Sequence, residues 1–182
     1  MILWEKKGPK NTGETLELAV KRGRELGINN FVVASNMGDT AFKLLELGVT
    51  GVCVTHHTGY AGPGEQEMTP EAAEKLQAMG MRLLTATHLM GGIDRGVENK
   101  LGGSTPARII TETLKMFGQG TKVCVEIAVM ALDSGLVPYG EEIIAIGGSG
   151  RGADTAMVLQ PAHAKNFFDC AIKEIICKPW QR

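Results

Sequence analysis

Short continuous apolar runs alternate along the chain with longer amphipathic segments, and the connections between them are polar and rich in glycine. The runs at 31–34, 51–55, 82–85, 142–146 and 156–160 have the length and β-branched content of buried strands. Leu16, Ala19, Val20 and Leu26 form a helical stripe that begins at Asn11, with Glu14 in capping-box spacing, and ends at Gly27. Further helices are expected over 39–47 before Gly48, from Thr69-Pro70-Glu71 to Met79 before Gly80, and from Thr105-Pro106 to Phe117. Ile2-Leu3-Trp4 reads as a short edge strand and 171–177 as a terminal strand.

Two segments are harder to read. In 121–134, Val123, Val125, Ile127 and Val129 alternate like a strand, but the length and the terminating Gly135 favour a buried helix. Residues 86–104 show no clear period, and so long a connection inside a compact domain reads as a functional loop or lid. The runs at 142–146 and 156–160 are too close for a crossover helix and should pair antiparallel. Alternation elsewhere implies parallel pairing, and no repeat or low-complexity linker divides residues 1–182, so a single α/β domain is expected.

Composition narrows the partners. Nineteen basic residues face 20 acidic ones, for a net charge of −1, with no basic block to hold duplex nucleic acid or an anionic membrane. The amino terminus lacks a basic leader before a long apolar run, and the longest nearly apolar stretch, 123–132, carries Glu126 and is too short to span a bilayer. A cytoplasmic protein is expected. Cys53, Cys124, Cys170 and Cys177 show no metal-finger spacing and read as reduced, buried thiols, with no metal site expected. Glycine is in excess, 24 of 182 residues against a usual share of about 7%. Many of these glycines fall in the loops that follow the first four strands after residue 30.

In a parallel sheet with helical crossovers, ligands bind beyond the carboxyl ends of the strands. That edge receives the polar turn Ser35, Asn36, Met37, Gly38, Asp39 and Thr40, where helix N–H groups and two hydroxyls can hold an anion. It also receives Gly147, Gly148, Ser149, Gly150, Arg151, Gly152, Ala153, Asp154 and Thr155, with glycines for close backbone approach and a guanidinium for phosphate. The second loop matches a dinucleotide fingerprint on paper, but the segment after it reads as a strand and no Walker lysine ends it. A flexible hairpin connection is the plainer reading of the same loop. Thr55 ends the strand at 51–55, and His56, His57 and His88 follow the strands at 51–55 and 82–85 on this edge, the histidines suited to ligand hydrogen bonds, to acid–base work, or to an ordinary polar rim. Glu126 is a carboxylate in an apolar run, so it either faces the pocket or makes a structural hydrogen bond. Lys10, Asn11 and Thr12 open the first helix on the same edge, Asn11 in N-cap position.

The run Val33-Ala34-Ser35-Asn36-Met37-Gly38-Asp39-Thr40 and the stretch 147–155 resemble the carboxy-terminal α/β domain of pyruvate kinase. Residues 31–57, 122–135 and 150–177 look closer still to a family of stand-alone archaeal and bacterial proteins with that fold. The resemblance implies a three-layer α/β/α domain with sheet order 3-2-1-4-5, counted from the strand at 31–34, and an antiparallel fifth strand. In pyruvate kinase the two loops hold the phosphates of an allosteric sugar bisphosphate. The catalytic barrel is absent here, so kinase activity is not expected, and Asp39 stands where that pattern has a basic residue. The stand-alone family is associated with flavin mononucleotide (FMN), which implies a phosphate held at 35–40 and 147–155 and ring neighbours such as Met37, Tyr60 and Met90. A phosphometabolite-sensing module and an acid–base enzyme using Glu126 with His56 or His88 are the alternatives. The expected partner is a phosphate-bearing small molecule, with self-association left open.

Overall fold

The apolar runs pair into one mixed sheet, seen in a computed structural model that describes residues 1–181. In chain order its strands are β1 (Ile2–Trp4), β2 (Phe31–Ala34), β3 (Val52–Val54), β4 (Arg82–Leu84), β5 (Ile143–Gly147), β6 (Thr155–Gln160) and β7 (Ala171–Pro179). Their order across the sheet is β1-β7-β6-β5-β2-β3-β4. Strands β5, β2, β3 and β4 run parallel, and β6 lies antiparallel between β5 and β7. The sheet is thus two strands wider than the five-strand order implied by the resemblance, because the strands read at 2–4 and 171–177 join it. Left uncovered, β6 would present a free edge of unpaired N–H and C=O groups. Strand β7 covers that edge and β1 adds parallel to β7.

The helices are α1 (Thr12–Leu26), α2 (Asp39–Glu46), α3 (Pro70–Ala78), α4 (Ile93–Leu101), α5 (Pro106–Lys115) and α6 (Gln119–Asp133). Successive strand residues point to opposite faces. Val33, Cys53, Ile144 and Ile146 meet Leu16, Ala19, Ala41, Leu44 and Leu76 from α1, α2 and α3. Val32, Val52, Val54, Ile143 and Ala145 meet Cys124, Ile127, Ala128 and Ala131 from α6. Segment 121–134 is therefore helical, and its apparent alternation arises because nearly every residue of α6 is buried.

Residues 86–104 are not a structureless loop, since α4 occupies their middle. Its apolar positions Ile93, Val97 and Leu101 pack into no core, Ile93 being 86% and Leu101 78% exposed, and Gly96 within it is a weak helix former. Such a helix leaves only a sparse periodic trace. Asn11 is also not a side-chain cap. A 3-10 turn over Pro9–Asn11 feeds α1, so Asn11 is itself near-helical (φ −88°, ψ −6°), and its Nδ2 donates to the Lys6 carbonyl at 2.8 Å. Thr69 and Thr105 do cap α3 and α5, accepting from Ala72 N and Arg108 N. The four cysteines are free, with Cys170 only half-buried, and burial pushes the Cys53 thiol up to about 12. Among the described residues no helix is long and apolar enough to cross a membrane.

Candidate functional site

The carboxyl ends of β5, β2 and β3 open onto a cleft of about 370 Å³. Ser35, Asn36 and Met37 line it from the turn after β2, and Asp39 and Thr40 from the start of α2. Gly38 sits at the N-cap of α2 with φ +99°, a conformation open to glycine at little cost. It has no side chain to cap the helix, and Ser35 takes that task. Ser35 Oγ accepts from Thr40 N at 3.2 Å and Ala41 N at 3.5 Å, leaving its hydroxyl proton to donate into the cleft.

The opposite wall is the loop between β5 and β6, which contributes Gly148, Gly150, Arg151 and Gly152. A Cβ on Gly152 would lie 2.4 Å from Thr12 Oγ1 and 2.8 Å from Pro9 Cα, and its φ is +73°. The loop is therefore pressed against the start of α1, where Thr12 Oγ1 accepts from Ala153 N at 3.0 Å. Arg151 is 79% exposed at the mouth, 3.8 Å from Asp39.

Beyond β3 and β4 lies a cluster of four rings. His56 stacks on Tyr60 with centroids 3.6 Å apart, and His88 stands edge-on to His56 and His57 at 5.2 and 5.4 Å. Glu67 fixes His56 through Nδ1 at 2.5 Å. The pKa of His88 is lowered, chiefly by burial, while Glu126 pulls it up less strongly and His56 pushes it down. His57 Nδ1 is buried with no partner among the described residues.

A smaller chamber of about 120 Å³ adjoins the cleft, sharing Tyr60 and Gln119 as lining, and Glu126 faces this chamber rather than the cleft. Helix α6 starts at Gln119, so Glu126 lies past its first turn. It is 4% exposed, its Oε1 accepts from Met90 N at 2.9 Å, and Lys122 pairs with its other oxygen. A structural hydrogen bond and an ion pair thus occupy the carboxylate. His88 lines the same chamber.

The fold brings much of the expected site together, but not all of it. Ser35, Asn36, Met37, Asp39, Thr40, His56, Gly148, Gly150, Arg151 and Gly152 share the cleft. Asn11 and Thr12 lie buried beneath the glycine loop, with Ala153 packed on Thr12. Asp154 is fully buried and accepts from Gly8 N, Ser149 N and Thr155 Oγ1, so it holds the loop in shape. Thr155 and Gly147 belong to the paired ends of β6 and β5. Thr55 is buried, and its hydroxyl bonds that of Thr85 at 2.7 Å. Met90 is 9% exposed and lines the chamber, not the cleft. Glu67, Gln119 and Val123 line the cleft without having been expected. The antiparallel course of α6 relative to β5 is the signal that could have found Gln119 and Val123.

Residues 14–159 match the family model described as pyruvate kinase, alpha/beta domain. The chain belongs to that family. For this pyruvate kinase alpha/beta domain, the match runs from α1 to β6 and so contains every residue that lines the cleft and the chamber. Strands β1 and β7 lie outside it.

Proposed function

We propose that the protein is a phosphate-ligand binder whose ligand is FMN. The observation that carries this reading is the composition of one cleft along the sheet edge. Ordered from β5 through β2 to β3, it runs from the Arg151 loop to the Ser35 turn to the His56–Tyr60 stack. Neighbouring strands are about 4.8 Å apart, so a phosphate-suited end and an aromatic end lie about 10 Å from each other. The cleft volume of about 370 Å³ falls within the usual small-molecule range of about 300–1,000 Å³.

The residues fit one phosphate better than two. Among the described residues Arg151 is the lone lysine or arginine lining the cleft, with Asp39 opposite it. Arg151 and the Ser35 hydroxyl would hold the phosphate, helped by backbone N–H groups of the glycine loop. Asp39 disfavours a second phosphate, which argues against a sugar bisphosphate. Stacked on Tyr60 and anchored by Glu67, His56 gives a flat ring system a pre-set surface. When bound, FMN would supply hydride or single-electron transfer at its ring. Free thiols suit a reducing compartment, and the reading places the protein in the cytoplasm.

A thermal-denaturation panel tests this reading. FMN should raise Tm at micromolar concentration and riboflavin, which lacks the phosphate, should do so far less. A rise with fructose bisphosphate or a nucleotide but none with FMN would instead identify a phosphometabolite-sensing module.

A further inference from the structure

The chamber beside the cleft is walled by charged side chains, and one threonine, from three helices. Helix α4 contributes Asp94, Arg95 and Glu98, α5 contributes Arg108, Thr111 and Lys115, and α6 contributes Lys122 and Glu126. Several of these charges are already satisfied. Lys122 pairs with Glu126, and Glu98 Oε1 accepts from Thr105 N and Thr105 Oγ1. Arg108 and Lys115 both reach the same carboxylate oxygen of Glu112, at 3.3 and 2.9 Å. Two cations on one acceptor leave donor capacity facing the chamber, and Arg95 makes no ion pair among the described residues.

Thr111 supplies the second, independent observation. It is 6% exposed and lines the chamber, and its Oγ1 has no hydrogen-bond partner among the described residues. Native proteins seldom leave a buried hydroxyl unpaired unless a water, an ion or a ligand completes it.

From this geometry we infer that the chamber is a binding site for a small carboxylic acid, with Arg95, Arg108 and the Thr111 hydroxyl as its recognition groups. Size sets the class. At about 30 Å³ per water the chamber holds about four waters, the bulk of an acid of about three carbons. Charge favours a monoanion over a phosphate dianion, because Asp94 and Glu98 stand on the same wall as Arg95. A guanidinium fork matches a planar carboxylate. Since Tyr60 and Gln119 line both spaces, the acid would sit beside whatever occupies the cleft. That the acid would lie on the substrate side of a bound flavin rests on the FMN reading; the binding itself does not.

Calorimetric titration of the purified protein with sodium lactate, L-alanine and sodium phosphate tests the inference. Lactate should bind one to one. The alanine arm shows whether Asp94 accepts an amine beside the carboxylate, in which case alanine binds more tightly than lactate. R95Q should weaken binding of the better acid about tenfold, the loss of a charge-assisted hydrogen bond. T111V should weaken it about fivefold while leaving Tm equal to or above that of the parent. FMN affinity should stay unchanged in R95Q, so failure of one reading is separable from failure of the other. Binding of neither acid, binding of phosphate alone, or acid binding that survives both substitutions would overturn the inference.

Discussion

His88 is held between opposing influences. Burial disfavours its charged form and His56 adds repulsion, as does Lys122 on α6, while Glu126 on that helix attracts a proton. Burial dominates, so the pKa lies below the ordinary value of 6.5. As pH falls through 6.5, the unfolded chain takes up a proton at this position and the folded chain does not, which favours unfolding. The stabilising share of neutral His88 is full above pH 6.5 and declines as the solution is acidified toward the folded-state pKa. Urea denaturation at pH 7.5 and 5.5 should show a smaller acid-side loss of stability for H88Q than for the parent protein. Equal losses in the two proteins would show that His88 is not kept neutral by the fold.

At the scale of elements, the loop between β5 and β6 is shaped from below. Asp154 accepts from Gly8 N at 3.0 Å, Ser149 N at 3.3 Å and Thr155 Oγ1 at 2.9 Å, and its carbonyl accepts from Trp4 Nε1 at 2.7 Å. The segment after β1, the loop and the start of β6 thus meet on one buried residue. D154A would leave three donors unsatisfied and should cost about 3 kcal/mol in chemical denaturation, with D154N losing less because one acceptor oxygen remains. A loss below about 1 kcal/mol in D154A would mean that the loop does not depend on this carboxylate. Element type was legible where burial was periodic or continuous, as in α1, β2 and β5. It failed at α4, which buries nothing, and at the cap of α1, where the Pro9–Asn11 turn removes the geometry that a capping side chain needs.

For the whole molecule, βαβ alternation gave parallel pairing, and the strand order that the resemblance implied put the turn after β2 beside the loop after β5, where β2 does pair with β5. That adjacency makes the cleft, and it follows from topology more than from any one residue. The chamber was not legible in the same way, since its walls come from α4, α5 and the interior of α6. Lys122 four residues before Glu126 was the one local hint, a spacing that sets two side chains on one helical face. Strand β1 was read as an edge strand and lies at the edge, whereas the place of β7 between β1 and β6 could not be read from its mixture of exposed and buried positions.

In the proposed function, the cleft between the Ser35 turn and the Arg151 loop holds the phosphate of FMN. Titration of FMN with the protein, followed by flavin fluorescence, is the measurement that decides it. Saturable quenching at one flavin per chain is expected, as the ring comes to rest against His56 and Tyr60. R151Q should need about tenfold more protein or beyond, the loss of a charge-assisted hydrogen bond, without a change in its own Tm. Flavin fluorescence unaffected by the protein, or quenched equally by R151Q, would contradict it.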